Sequence, residues 1–297
     1  MSSPASAVSA SRAAELVSGG SLEIGAHRPQ DAHEIAALLP SGTPVYVNHL
    51  PRHRLLDTIP TLMAVREAGL EPVPHIAARR IRDRGEFTAF LGRAVGEAGV
   101  RKALILGGDE PQAAGPYADG AALIREGLLA KAGLREIGLP GYPEGHPRIP
   151  RETLEQAFAE KLSLAAAQGL GSYVVTQFSF APARIVEYCA SLARSAPSVP
   201  VYVGLAGPTN PLALLRFAQR CGVSASLRAL RAQGMDAVRL VTHTDPADQL
   251  AALAHYCAVH ADCNVVGVHL FTFGGVAAAA RWINRQLSPD RLGGGYA

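Results

Sequence analysis

The chain has 297 residues, 48% of them hydrophobic and 18% charged, with a net charge of +3. That balance suits a large buried core in a single domain spanning 1–297 and excludes wholesale disorder. No dense Lys/Arg tract points to nucleic acid or an acidic membrane surface, and no apolar run approaches the roughly 20 residues that span a bilayer.

Residues 1–20 are rich in Ala and Ser and lack a basic stretch followed by an apolar one. They read as an N-terminal extension, a frayed helix before the first strand, and not as a signal peptide. Eight short apolar runs follow: Ser21–Ile24, Pro44–Val47, Pro72–Ile76, Ala103–Leu106, Glu136–Leu139, Ser172–Val175, Val199–Val203 and Val265–Leu270. Between them lie segments with apolar positions at helical spacing: Ala32–Leu39 after Asp31 as N-cap, Leu55–Ala68, Phe87–Ala98, Ala121–Ala132, Glu152–Gln168, Pro182–Ser195, Pro211–Cys221 and Ala247–His260. Several stop at glycine, as helices commonly do. Strand–helix alternation argues for βαβ units and a parallel sheet, and a count of eight favours closure into a (β/α)8 TIM barrel. Asp236–His243 reads as a ninth strand or the end of an extra helix. Helix is favoured, because a ninth parallel strand would break the barrel.

Most runs end in a polar residue that a buried strand does not need, and a barrel gathers all such ends at one mouth. Glu23, between Leu and Ile, would be partly desolvated there, which raises a carboxyl pKa toward that of a general acid. An exposed Glu paired with Arg28 is the equal alternative. Asp109 follows Gly107-Gly108, where the backbone can approach a planar ligand closely. Tyr142-Pro143-Glu144-Gly145-His146-Pro147 places an aromatic, an acid and an imidazole on a stiffened loop. Gln177 offers both a donor and an acceptor to a heterocycle edge. His75 and His269 also sit at strand ends. Arg79, Arg80, Arg82 and Arg84 read as a solvated loop and helix start in preference to a phosphate contact. The four cysteines, Cys189, Cys221, Cys257 and Cys263, show no metal spacing. They read as buried free thiols in a reducing cytoplasm, and no metal is expected.

Taken together, several segments resemble the methylenetetrahydrofolate reductase family from about Ser21 to Phe273. They are Ser21-Leu22-Glu23, Pro74-His75, Leu106–Pro111, Tyr117, Tyr142–Pro147, Lys161, Thr176-Gln177-Phe178, Gly204 with Pro208-Thr209-Asn210, and His269–Thr272. The order Tyr-Pro-Glu-x-His-Pro then Thr-Gln-Phe is the most specific part. The resemblance implies a cytoplasmic oxidoreductase of one-carbon metabolism and methionine biosynthesis. It would interconvert 5,10-methylenetetrahydrofolate and 5-methyltetrahydrofolate, with FAD passing hydride and NAD(P)H reloading the flavin. Glu23 would protonate N10 and Asp109 would stabilise developing positive charge. Cofactor contacts would fall to Asn48, His75, Leu106, Gly108, Asp109, Tyr117, Tyr142, His146 and Lys161. Substrate contacts would fall to Glu23, Asp109, Gln177 and Leu205. The implied partner is a tetrahydrofolate substrate, with no nucleic acid and no membrane, and a homo-oligomer fits the habit of such barrels. Departures from the family pattern are Gly107 for Arg, Ala157 and Glu160 for Asn and Arg, Asn48 for Thr, and Phe273-Gly274-Gly275 for Leu-Asn-Arg. Lost arginines imply a looser grip on anionic groups. Rival readings are a folate-dependent methyltransferase barrel and a folate- or flavin-binding protein without turnover.

Overall fold

The computed structural model describes residues 4–51, 53–209, 223 and 246–288. Eight parallel strands close a barrel in chain order: β1 (Ser21–Ile24), β2 (Pro44–Val47), β3 (Glu71–Ala77), β4 (Lys102–Leu106), β5 (Glu136–Gly141), β6 (Gly171–Thr176), β7 (Val201–Ala206) and β8 (Val265–Phe271). β8 returns to β1 with Ser21 beside His269, which leaves no open edge. The expected (β/α)8 barrel is therefore the observed one.

Side chains alternate along each strand. Leu22, Ile24, Val45, Val47, Ile105, Leu139, Val203 and Leu270 face outward and join the core shared with the helices. Tyr46, Val73, Leu104, Tyr173 and Val175 form a separate core inside the barrel, with Leu106 and Tyr202 packed against it. Burial on both faces explains why each run reads as nearly continuous apolar sequence.

The helices are α1 (Pro4–Ser18), α2 (Pro29–Ala36), α3 (Ile59–Glu67), α4 (Arg84–Gly96), α5 (Gly120–Arg125), α6 (Leu128–Ala132), α7 (Arg151–Ala166), α8 (Pro182–Ser195), α9 (Ala247–Val259) and α10 (Val276–Leu287). Several expectations need correction. The N-terminal helix is docked at its C-terminal end: Leu16 and Val17 are buried, and the Arg12 Nη2 donates to the Val265 carbonyl at 3.1 Å. Asp31 does not cap α2. Pro29 opens that helix, and Asp31 sits in its first turn bonded to Arg28 Nε at 3.0 Å. Pro60, which has no N–H to donate, leaves Leu55–Thr58 as a 3-10 turn before α3. The single helix expected over 121–132 is two, because Gly127 takes φ +70° between α5 and α6. α10, with Trp282 and Ile283 buried, was not expected at all. Of the cysteines, Cys189 is buried but Cys257 and Cys263 are only half-buried. The expected helix Pro211–Cys221 and the segment Asp236–His243 lie outside the described residues.

A Cβ at Gly127 would meet nothing within 4 Å among the described residues, so Gly127→Ala isolates the backbone cost of a left-handed residue. The variant is expected to lose about 1–2 kcal/mol in urea denaturation. An unchanged midpoint would contradict this origin of the helix break.

Candidate active site

The barrel interior is layered. At the N-terminal end, Lys102 Nζ lies 3.1 Å from Glu71 Oε2. Above them the Tyr46 hydroxyl donates to the Tyr173 hydroxyl at 3.1 Å. The Tyr46 ring then meets both His75 and His269 edge-on, with centroids 5.7 and 4.6 Å away. Ser21 Oγ lies 2.8 Å from His269 Nδ1, and the Nε2 atoms of both histidines are buried without partners among the described residues. Burial holds both imidazoles neutral, with pKa values lowered to about 3.

Glu23 points into this interior near the C-terminal end of β1, only 8% exposed. Desolvation raises its pKa to about 7, opposed by hydrogen bonds from the Asn48 side chain and the Thr272 backbone. Thr272 Oγ1 also donates to the Glu23 carbonyl at 3.0 Å, tying the end of β8 across to β1. Arg28, the alternative partner weighed from sequence, pairs with Asp31 instead. Glu23 is thus a buried acid that can hold its proton near neutral pH. Asn48→Ala removes a group that favours the carboxylate. It is expected to move the alkaline limb of a pH–rate profile up by as much as about one unit. A limb that stays in place or moves down would argue against that bond.

A second group occupies the rim over β4, β5 and β6. Asp109 is exposed and accepts from Arg148 Nη2 at 3.2 Å. Tyr142 stands edge-on to His146 with centroids 5.2 Å apart, and His146 Nδ1 accepts from the Arg148 amide at 3.2 Å. Burial, and secondarily the nearby Asp109, push the Tyr142 hydroxyl up to about 12. His146 is lowered, first by desolvation and then by Arg148. The Gln177 backbone N–H donates to the Gly141 carbonyl at 2.7 Å, and the side-chain Oε1 of Gln177 accepts from Phe178 N at 3.1 Å. Gly108 sits at φ +96°, a setting that side chains rarely adopt, and a Cβ there would come within 2.8 Å of Glu110 Oε2. Leu106 packs against the inner core directly below.

Three sequence-nominated positions lie elsewhere. Tyr117 is buried in the helix-facing core against Phe87 of α4, with its hydroxyl lacking a partner among the described residues. Lys161, on α7, lies behind β4 with its stem near the start of α5, and burial lowers its pKa. Leu205 is a correction: strand alternation turns it outward into the helix-facing core, so Gly204 and Ala206 face the interior.

Two features were missed or misread. Arg79 and Arg80 are braces rather than a solvated loop. Arg79 donates to the carbonyls of Ala118 and Glu110 at 2.7 and 3.0 Å, while Arg80 Nε meets Glu110 Oε1 at 2.6 Å and Arg80 Nη1 meets the His49 carbonyl. His49 is buried beside this guanidinium and is lowered to about 4, by desolvation first. Phe178, Phe180, Phe271 and Phe273 cluster over β6 and β8, with centroids 5.2–6.1 Å apart. Phe273 sits at φ +48°, a strained setting for an aromatic residue. Phe273-Gly274 stood out in sequence only as a departure from a pattern, without a geometric meaning.

Among the described residues, no group of three or more His, Cys, Asp or Glu could hold a metal ion, and no helix is long and apolar enough to cross a membrane. Two solved structures share the fold. One is a protein assigned as a phosphonomutase from Burkholderia cenocepacia, 13% identical, with TM-score 0.52 over 92% of this chain and 94% of that one. The other is DHPS from Yersinia pestis with a pterine-sulfa conjugate, also 13% identical, with TM-score 0.50 over 92% and 95%. A family model for methylenetetrahydrofolate reductase matches residues 52–285, a span that carries the rim group but begins after Glu23 and Asn48. With most of its length so matched, the chain belongs to the methylenetetrahydrofolate reductase family, whose chemistry is that of folate and one-carbon metabolism.

Proposed function

We propose that this chain is a single-domain cytoplasmic enzyme that interconverts 5,10-methylenetetrahydrofolate and 5-methyltetrahydrofolate, with NAD(P)H as electron donor and FAD as carrier. The observation that carries the reading is Glu23, a buried carboxyl with a pKa near 7 at the barrel mouth. Protonated Glu23 gives its proton to N10 as the five-membered ring opens, leaving an electrophilic iminium at the carbon that receives hydride. In reverse, the same carboxylate takes the proton back. Asp109 offers negative charge at the rim as positive charge develops on the pterin side. Gln177 reads the pterin edge with its amide.

The ring end of a flavin is suited by His75, whose buried Nε2 lacks a partner among the described residues, by apolar Leu106, and by Gly108, where no side chain intervenes. When bound, the flavin supplies the hydride. Its diphosphate is less well served: burial lowers the Lys161 amine below the usual lysine value, and Glu160, which stands beside it, is bonded to Arg125. Each missing charge-assisted bond is worth about 1.5–3 kcal/mol, so FAD is expected to bind about tenfold to a hundredfold more weakly per lost arginine.

The test is a titration of the purified chain with FAD, followed by NADH- and NADPH-driven assays on methylenetetrahydrofolate with and without the flavin. Formation of 5-methyltetrahydrofolate that rises with FAD supports the proposal. Turnover indifferent to FAD removes the flavin from it. No turnover under any condition overturns it in favour of a binder, and methyl transfer without NAD(P)H oxidation favours a methyltransferase.

A further inference from the structure

At the end of the barrel opposite Glu23, two thiols meet. Cys257 lies in the last turn of α9 and Cys263 in the turn that enters β8, with their sulfurs 2.8 Å apart. Bonded sulfurs sit ~2.05 Å apart, so a shift of under about 1 Å would join them. The turn is fixed by its own backbone: His260 N donates to Tyr256 O and Cys263 N to His260 O, each at 3.1 Å. Both cysteines are half-buried.

The surroundings distinguish the two sulfurs. Cys263 Sγ accepts from the Val265 amide, which favours its thiolate against burial and Asp262, while the Arg12 guanidinium favours the thiolate of both sulfurs. Arg12 is held in place by Glu15 at 2.8 Å and the Val265 carbonyl at 3.1 Å. The contact with Cys263, and then burial, push the Cys257 thiol up. Cys189, the third thiol nearby, is buried on α8 with its pKa raised to about 12, which leaves it inert.

We propose that Cys257 and Cys263 form a thiol–disulfide exchange site that takes a low-molecular-weight disulfide and ends as an intrachain bridge between α9 and β8. The Cys263 thiolate attacks one sulfur of the disulfide, forming a mixed disulfide and expelling one thiolate. The Cys257 sulfur, losing its proton to solvent, then attacks Cys263 Sγ and expels the second thiolate. Both cysteines are oxidised, the small disulfide is reduced to two thiols, and no other oxidant is needed. Glu23 and the mouth take no part, so the site stands or falls independently of the reductase reading.

The experiment treats the reduced full-length chain with oxidised glutathione and reads intact mass and peptide maps. Wild type is expected to lose two hydrogens, with the new bond mapped to Cys257 and Cys263. Cys257→Ser should stop at one glutathionyl group on Cys263, and Cys263→Ser should react about tenfold more slowly. The serine variants keep the backbone bonds of the turn, and circular dichroism checks their fold. If a variant fails that check, the wild-type peptide map decides alone. Unchanged wild-type mass, a bridge to Cys189 or Cys221, or a stable adduct on Cys257 with Cys263 free would each overturn the proposal.

Discussion

Glu23→Gln is expected to lower the turnover of methylenetetrahydrofolate by about 10²–10⁴-fold, the usual contribution of a positioned general acid. Folate affinity should change by only a few-fold, because the amide fills the same space. Wild-type turnover should fall about tenfold per pH unit above pH ~7, where Glu23 loses its proton, and the variant's residual rate should lack that fall. The same substitution should stabilise the fold at alkaline pH. Glu23 has its folded pKa raised from 4.5 to about 7, so its contribution is fully present below 4.5 and is lost as pH rises through 7. At pH ~8 the buried carboxylate therefore costs about 3 kcal/mol, which glutamine does not incur. Steady-state kinetics, equilibrium folate binding and urea denaturation of the two proteins check all three statements. A variant that keeps most of its turnover would remove Glu23 from the chemistry.

Acid should weaken the fold through the two histidines beneath Glu23. His75 and His269 have folded pKa values depressed from 6.5 to about 3, so the stability they carry is present above pH 6.5. It is lost progressively between 6.5 and 3, as the unfolded chain takes up protons that the native barrel refuses. Each costs about 1.4 kcal/mol per pH unit in that window. Glu23 offsets one of them between pH 7 and 4.5, because its own titration runs the opposite way. The comparison that isolates the pair is wild type against the double variant His75→Gln, His269→Gln. The substitutions shift the baseline, while the slope of unfolding free energy against pH reports the titration. The double variant's slope between pH 6 and 5 is expected to be shallower by about 3 kcal/mol per unit. Equal slopes would mean that the imidazoles are hydrated or paired in solution.

The strands were legible because a parallel barrel buries both faces of each one, leaving short apolar runs bounded by turns. Runs such as Pro44–Val47 match observed elements to the residue. Helix ends were less legible, since they depend on single backbone settings: Gly127 splits one helix, and Pro29 displaces Asp31 from a cap. Glu23 could be nominated from its apolar neighbours, but its link to Asn48 and Thr272 depends on strands far apart in sequence. Leu205 was misplaced for want of knowing which residues of β7 face inward. The Arg79–Arg80 brace was visible as charge alone, because its acceptors are mostly backbone carbonyls that no residue type announces.

The central claim is a carboxyl that stays protonated near neutral pH inside the barrel. Infrared difference spectroscopy of the protein across pH 4 to 9 reads the protonated carboxyl band directly, and Glu23→Gln assigns it. The expected result is a band that titrates near pH ~7 and is missing in the variant. A Glu23 carboxyl that titrates with the ordinary surface acids near pH ~4.3 would contradict the account.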